Sequence, residues 1–254
     1  VRSQTDRTVS RWTIARMLSD QGLNSYSKPK KPLLLPRHKK LRLWFAKTGA
    51  KHSNEDWRRV IFTDECKVCI HGPDGNRRVW RRPGGVLLDH HISPTVKFGG
   101  RAVMVWGAIT YNGVGRLVFI DTMMNADVYI DVLKSGYLGT VEMHGVNIYE
   151  TVMQQDNDPK HFASKTLEWI RENNITVLKW PACSPDLNII EHVWYYVKRK
   201  ISEAGGKPRN VDDLKALILR IWYSIPLEYI RKLYDSIPNR LAAVISAKGG
   251  CTKY

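Results

Sequence analysis

The sequence is poor in cysteine, in acidic residues and in long apolar segments. Its four cysteines, at positions 66, 69, 183 and 251, are too few and too unevenly spaced for a disulfide framework. No apolar run approaches the roughly 18 residues that a membrane-spanning helix needs. Only 24 Asp and Glu accompany 40 Lys and Arg, for a formal net charge of +16. The shortages indicate an intracellular protein without a membrane partner, and the cations indicate a polyanionic partner, with nucleic acid as the leading class.

The remaining composition is that of a folded protein. Of 254 residues, 43% are hydrophobic and nine are Trp, which predicts one large domain with appendages. The chain begins with Val1 and shows no charged-then-apolar leader, so we expect a fragment of a longer protein. Cys66 and Cys69 have the spacing of a metal-binding pair, but they lie in a β-branched run, where positions i and i+3 face opposite sides. We expect no metal at these cysteines.

The first 56 residues divide into a helix and a basic segment. Between Ser10 and Gly22 the apolar residues keep helical spacing, with Ser10 as the N-cap and Gly22 as the end. Residues 1–25 are therefore either the C-terminal part of a DNA-binding helix-turn-helix or an ordinary surface helix. Residues 26–56 carry many cations, and three prolines exclude a continuous helix, which predicts a basic linker. This linker would follow a phosphate backbone, serve in nuclear import or act as a solvated spacer. The candidate DNA-binding cations are Arg11, Arg16, Lys28, Lys30, Lys31, Arg37, Lys39 and Lys40.

Residues 57–205 alternate between strand and helix patterns. Strands are predicted at 60–64, 67–71, 77–80, 102–109, 115–120, 151–155 and 176–179, and helices at 125–142, 164–172 and 187–201. This order predicts an α/β fold in which helices flank a mixed sheet. Residues 81–100 form a long excursion, of a length that is usually functional or disordered. Residues 206–254 add helices at 211–223 and 226–234, which we expect to pack on the same domain.

Three carboxylates are notable against the basic background. Asp64 and Asp156 each end a predicted strand and Glu191 lies near the start of a predicted helix, so all three are expected to meet at one sheet edge. Hard divalent cations prefer oxygen ligands, and two ions about 3.5–4 Å apart activate both oxygens of an in-line phosphoryl displacement. The trio predicts an enzyme that uses two Mg²⁺ ions, with Mn²⁺ as a substitute, to cut or join nucleic acid.

Three polar neighbours are candidates for contacting substrate or supporting a ligand. Asn157 directly follows Asp156. His161 would contact phosphate, orient a ligand or form a structural hydrogen bond. Asn188 lies one helical turn before Glu191 and would touch substrate or cap the helix.

Other nearby residues are assigned to the scaffold. Asp158 precedes Pro159 and is interpreted as a turn residue. Glu65 is expected to face away from the site, and Asp186 is expected to interact with the dipole of the following helix. The indoles of Trp106, Trp180 and Trp194 are expected in the core.

Several separated motifs together resemble the DDE transposases of the mariner superfamily. They are Thr63-Asp64-Glu65, the Gly99–Gly107 run, Gln154-Gln155-Asp156-Asn157 with His161, and Trp180-Pro181 followed by Ser184-Pro185-Asp186-Leu187-Asn188 and Glu191. The 34 residues between Asp156 and Glu191 match the nematode-type branch. The similarity runs from about Ser10 to the end of the chain. One departure is Ile189-Ile190 before Glu191, where the family usually has Pro and then Ile.

The resemblance implies a ribonuclease-H-like catalytic domain with Asp64, Asp156 and Glu191 as the metal-binding triad. It also implies cleavage at terminal inverted repeats, joining to a TA dinucleotide, and a role for residues 81–100 in contacting a partner subunit. The expected partners are double-stranded DNA, at transposon ends and target, and further copies of the chain in a homodimer or larger oligomer in the nucleus. The alternatives are a non-catalytic DNA-binding descendant of a transposase and a nuclease acting on RNA–DNA hybrids.

Overall fold

The computed structural model describes residues 9–23, 31–69, 102–204 and 208–254 and divides the chain into two compact units, Val1–Leu33 and Leu34–Tyr254. The first unit contains helix α1 (Arg11–Asp20). Its N-cap is Ser10, whose hydroxyl accepts a hydrogen bond from the Thr13 backbone N–H. The helix ends before Gly22, which has a φ of +74°, a conformation that favours glycine. Both predicted ends of this helix are confirmed.

The second unit is built on a five-stranded mixed sheet with the strand order β3-β2-β1-β4-β5. The strands are β1 (Val60–Cys69), β2 (Ala102–Thr110), β3 (Gly113–Ile120), β4 (Val152–Gln154) and β5 (Thr176–Val177). Strand β1 pairs antiparallel with β2 and parallel with β4. Pairing with β4 stops at Phe62 and Gln154, whereas pairing with β2 continues to Cys69. The prediction that Asp64 ends a strand is therefore wrong: Asp64 lies within β1, just beyond the point where β4 stops pairing.

Helices cover both faces of this sheet. They are α2 (Pro36–Gly49), α3 (Asn54–Arg58), α4 (Ala126–Val132), α5 (Gly139–His144), α6 (Ser164–Glu172), α7 (Ile190–Glu203), α8 (Val211–Tyr223), α9 (Leu227–Asp235) and α10 (Ile237–Ser246), with a π-helical segment at Leu133–Leu138 and 3₁₀ turns at Ile148–Glu150 and Pro159–Phe162. Among the described residues, no helix is long and apolar enough to cross a membrane.

Two apolar cores lie on opposite faces because side chains alternate along the strands. Phe62 and Val105 belong to the core under α7, α8, α9 and α10, whereas Ile61 and Trp106 belong to the core under α4 and α6. Gly107 lies beneath the stacked indoles of Trp194 and Trp222, and a Cβ at this position would be 2.7 Å from the Trp194 ring. The predicted α/β architecture with helices flanking a mixed sheet is confirmed.

The largest correction concerns the segment predicted as a basic linker. From Pro36 onward it is helix α2, because proline at the first helical position has no N–H to leave unpaired. The helix buries Arg42, Phe45, Ala46 and Gly49, which recur at helical spacing, and it packs on α10. Because cations surround these buried residues in the sequence, the segment has the composition of a solvated linker.

Smaller differences concern element bounds. The predicted separate strand at 67–71 is the continuation of β1, the helix at 187–201 begins only at Ile190, and α10 was not predicted. The strands at 151–155 and 176–179 are shorter than predicted, and the helix at 125–142 contains the π-helical segment. The predicted strand at 77–80 and the excursion at 81–100 lie outside the described residues.

Candidate active site

A cleft of about 340 Å³ opens beside the junction of β1 and β4. Asp64 from the middle of β1, Asp156 two residues after β4, and Glu191 in the first turn of α7 all line it. Its other walls are Asn157, Asp158, Asn188 and the segment 180–185. Three acids that are remote in the sequence therefore share one cavity, as their positions beside predicted strands and a predicted helix indicate.

The carboxylates in this cleft act on the pKa of Asp64. Burial raises the pKa of Asp64 well above its ordinary value, and the nearby carboxylates of Glu191, Glu65 and Asp156 raise it further. Burial also raises the pKa of Glu191. An all-oxygen donor set of three carboxylates suits a hard divalent cation such as Mg²⁺. In the described parts of the chain, however, no three His, Cys, Asp or Glu side chains already form a ligand cage.

Asp64 is held in place by Trp194. The indole Nε1–H of Trp194 donates to Asp64 Oδ2 over 3.2 Å, and the indole itself is buried against Trp222. The prediction that Trp194 belongs to the core is confirmed, but its hydrogen bond was missed. The signal was present in the sequence, since Trp194 follows Glu191 by three residues and so shares its side of α7.

Asp156 is held by His161 and by its own turn. His161 Nδ1 lies 2.9 Å from Asp156 Oδ1, and the backbone N–H of Asp158 donates to the same oxygen over 3.0 Å. These hydrogen bonds, led by that of His161, lower the pKa of Asp156. The structure thus favours the ligand-orienting role for His161 over direct contact with phosphate, because the imidazole is only 2% exposed.

His161 also connects Asp156 to Glu65. The imidazole Nε2 lies 3.3 Å from Glu65 Oε1, and the ring packs against Tyr129 with centroids 4.2 Å apart. Burial opposes protonation of this ring, but the hydrogen bonds to Asp156 and Glu65 outweigh it and raise the pKa to about 9. At neutral pH His161 is therefore a buried cation between two carboxylates.

The remaining neighbours have scaffold contacts. Asp158 Oδ1 accepts from the Lys160 backbone N–H over 3.1 Å, which confirms its turn role. Buried Asn188 donates to Thr63 O and accepts from the Ile190 backbone N–H, each over 3.4 Å, so it joins β1 to the start of α7. Asn157 is exposed and donates to Trp180 O over 3.0 Å.

The prediction for Asp186 is wrong. Instead of interacting with a helix dipole, its carboxylate makes two hydrogen bonds of 2.7 Å with the guanidinium of Arg42. The helix begins only at Ile190, so Asp186 precedes its first turn. Burial alone would raise the pKa of Asp186, but the hydrogen bonds from Arg42 and Thr252 and the charge of Arg42 together lower it.

Most of the candidate DNA-binding cations are on the surface. Arg11 and Arg16 are exposed on α1, and Arg37, Lys39 and Lys40 are exposed on α2. Lys31 is exposed as well, whereas Lys28 and Lys30 lie outside the described residues.

Comparisons with known proteins agree with this architecture. Residues 59–215 match a family described as DDE superfamily endonuclease. Residues 1–51, a range that includes α2, match a helix-turn-helix family described as transposase. The chain is 35% identical to the Tcb2 transposase of Caenorhabditis briggsae and 34% identical to the Tc1 transposase of Caenorhabditis elegans, over 100% of this chain and 92% of each relative.

Solved structures show the same fold. The Mos1 transposase in its paired-end complex with the left transposon end has a TM-score of 0.83 at 17% identity, covering 96% of this chain and 72% of that chain. The Mos1 mariner paired-end complex with Mn has a TM-score of 0.80 over the same shares. With the acid-lined cleft built on this ribonuclease-H-like sheet and relatives matched along the whole length, the chain belongs to the Tc1/mariner family of DDE transposases.

Proposed function

We propose that this transposase moves its element by cut and paste. It cleaves double-stranded DNA at the terminal inverted repeats and joins the freed 3′ ends to a TA dinucleotide in target DNA. The observation that carries the proposal is the sharing of one cleft by Asp64, Asp156 and Glu191. Membership of the family supports the reaction class, and the resemblance described above supplies the inverted repeats and the TA target.

The three acids would hold two divalent cations, Mg²⁺ or Mn²⁺. Such ions lower the pKa of an attacking water and stabilise a leaving 3′ oxygen. The oxygen-only donor set and the raised pKa values of Asp64 and Glu191 support this assignment. Because the protein supplies mainly alignment and charge stabilisation in phosphoryl transfer, the orientation of each carboxylate decides the rate.

Two buried donors would set that orientation. Trp194 restricts Asp64 through the indole N–H, and protonated His161 restricts Asp156 while Glu65 restricts His161 in turn. Hydrogen-bonding partners behind the ligands of a metal site fix ligand geometry in this way. Neither donor would touch DNA.

The direct test is cleavage of duplex DNA that carries the terminal inverted repeats of the element encoding this chain. Wild type is expected to cleave with Mg²⁺ or Mn²⁺ and not with EDTA. Asp156→Asn should abolish cleavage, whereas Asp158→Asn, a matched change two residues away in a capping residue, should lose less than about tenfold. Cleavage that survives Asp156→Asn would refute the proposal.

The same assay separates the alternatives. Duplex binding without cleavage, together with no Mn²⁺ binding in calorimetry, would identify a non-catalytic DNA-binding descendant. Preference for RNA–DNA hybrids over inverted-repeat duplex would identify a hybrid nuclease.

We further propose that two or more copies act together on paired DNA ends and that the protein works in the nucleus. Mos1 transposase is seen in paired-end complexes, which supports the first point. Light scattering of the protein with inverted-repeat DNA should give a mass of at least two chains. Imaging of a tagged chain in cells should locate it in the nucleus, and a monomer on DNA or a cytoplasmic protein would contradict these two points.

A further inference from the structure

A buried ion pair lies behind the cleft. Arg42 of α2 is 1% exposed, and its Nη1 and Nη2 each lie 2.7 Å from one oxygen of Asp186. The two residues are 144 positions apart in the sequence, so the pair ties a helix near the start of the second unit to the segment just before α7. A guanidinium and a carboxylate in this fork arrangement define geometry as well as charge.

Every N–H group of the Arg42 guanidinium has an acceptor. Beyond the two bonds to Asp186, Nη1 donates to Cys183 O over 3.2 Å, Nε to Gly249 O over 3.0 Å and Nη2 to Gly250 O over 3.1 Å. A guanidinium has five N–H donors, and all five are used here. Such complete pairing compensates for removing a charge from water.

The C-terminal segment completes the arrangement. Thr252 Oγ1 donates to Asp186 Oδ2 over 2.8 Å, and Arg240 Nη1 donates to Asp186 O over 2.8 Å. Gly249 has a φ of +82°, and a Cβ there would lie 2.0 Å from Lys39 O, so this segment approaches the α2 backbone as only glycine can. Three segments that are distant in the sequence meet at one carboxylate.

The held segment is a wall of the cleft. Cys183, Ser184 and Pro185 on one side of Asp186, and Asn188 and Glu191 on the other, line the cavity. Within the segment, the Asn188 backbone N–H donates to Pro185 O over 3.0 Å and the Glu191 backbone N–H to Asn188 O over 3.4 Å. A short hydrogen-bonded path therefore leads from Pro185, the neighbour of Asp186, through Asn188 to Glu191.

We propose that Arg42 is a positioning residue of the transposase. Acting through Asp186, it holds the segment 183–188 in place, so that the side chains of Asn188 and Glu191 line the cleft. This inference rests on the proposed function for the role of Glu191, although the ordering of the segment does not. Lysine cannot replace Arg42, because an ammonium lacks the planar fork that reaches one carboxylate and three carbonyls together.

The test uses Arg42→Lys in the full chain, with two readouts that do not need turnover. Hydrogen exchange of the amides in 183–191 should be faster than in wild type. Binding of Mn²⁺ to the DNA-free protein, measured by calorimetry, should weaken about 10- to 100-fold, the usual effect of losing a partner behind a metal ligand. Half-maximal cleavage of inverted-repeat DNA should require a correspondingly higher Mn²⁺ concentration.

Leu133→Ala is the matched control. Leu133 is fully buried in the core on the opposite face of the sheet, so its truncation lowers the melting temperature without touching the segment 183–188. It should leave both readouts at their wild-type values. If Arg42→Lys does not fold, Thr252→Val removes one hydrogen bond to Asp186 and one from the Tyr254 backbone N–H, and it should shift both readouts in the same direction by a smaller factor.

The results separate the two proposals. Wild-type exchange and Mn²⁺ affinity in Arg42→Lys or Thr252→Val, or an equal shift in Leu133→Ala, would overturn the positioning role. A wild-type chain that binds no Mn²⁺ would overturn the proposed function instead, and the exchange measurement would still decide whether Arg42 orders the segment.

Discussion

Two aspartates beside the cleft differ in what faces them. Asp64 is partly buried among other carboxylates, and its pKa is raised by burial and by their charge. Asp186 is also largely buried, but it faces the guanidinium of Arg42, and its pKa is lowered. Among the described residues, Asp186 therefore faces a cation, whereas the charged groups that act on Asp64 are carboxylates. The guanidinium uses Asp186 to join distant segments, whereas Asp64 is open to a cation from outside the protein.

We expect the largest effect from removing the charge of Asp64. Asp64→Asn should reduce metal-dependent cleavage about 10³-fold or more, since losing several kcal/mol of charge stabilisation costs a factor of ten for each 1.4 kcal/mol or so. The same substitution should raise the free energy of unfolding without metal by roughly 0.5–2 kcal/mol, because it removes a repelling charge. Cleavage rates and urea denaturation in EDTA measure the two effects. A less stable Asp64→Asn would show that repulsion does not dominate at this site.

We expect the next largest effect from removing the Asp186 carboxylate, which pairs with Arg42. Asp186→Ala should lower the free energy of unfolding by about 3–5 kcal/mol, because it leaves the buried Arg42 guanidinium without its counter-charge. The double variant Arg42→Met/Asp186→Ala should lose less than the sum of the losses in Arg42→Met and Asp186→Ala, since neither charge remains. Urea denaturation of wild type, both single variants and the double variant completes the cycle. Additive losses would mean that the pair is not coupled.

His161 lies against Asp156 as Arg42 lies against Asp186, so removing His161 tests whether the cleft also depends on a buried cation. His161→Ala should lower Mn²⁺ affinity or the cleavage rate about 10- to 100-fold, because Asp156 loses the donor that orients it. Thr166→Val offers a comparison, since it removes a nearby hydrogen bond to Lys160 O without touching Asp156. Calorimetry and single-turnover cleavage measure both variants, and equal losses in the two would indicate general disturbance of this region.

The smallest effect concerns pH, where the two aspartates should act with opposite signs. The folded-state pKa of Asp186 is lowered, so its stabilisation is present above the unfolded value of about 3.9 and is lost as the pH falls through the folded value. The folded-state pKa of Asp64 is raised, so its contribution is present below about pH 3.9 and is lost as the pH rises through the folded value.

Urea denaturation in EDTA across this range measures both contributions. The stability gained by Asp64→Asn over wild type should grow from about pH 4 upward, and the stability lost by Asp186→Asn should shrink below about pH 4. Parallel pH profiles for wild type and both variants would contradict the assignment.

Patterns in the sequence predicted the three acids of the cleft better than they predicted the residues packed behind them. Asp64, Asp156 and Glu191 were recognisable because they stand beside apolar strand and helix patterns and at a telling spacing, and the structure brings them to one cleft. Arg42 was assigned to a basic linker because its neighbours are cations and prolines, although it is buried. Local pattern cannot distinguish a buried arginine from a solvated one, since the difference lies in a carboxylate 144 positions away.

From the sequence alone, local periodicity predicts the α/β order of elements. Residue chemistry singles out Asp64, Asp156 and Glu191 as candidate metal ligands, and the resemblance in motifs and spacing predicts a transposase. The packed structure alone shows that β1 continues past Asp64, that His161 and Trp194 contact two of the acids, and that Asp186 pairs with Arg42. These are contacts between segments far apart in the chain. They exist only once the sheet and its helices have packed, and that packing also determines which carboxylate pairs with Arg42.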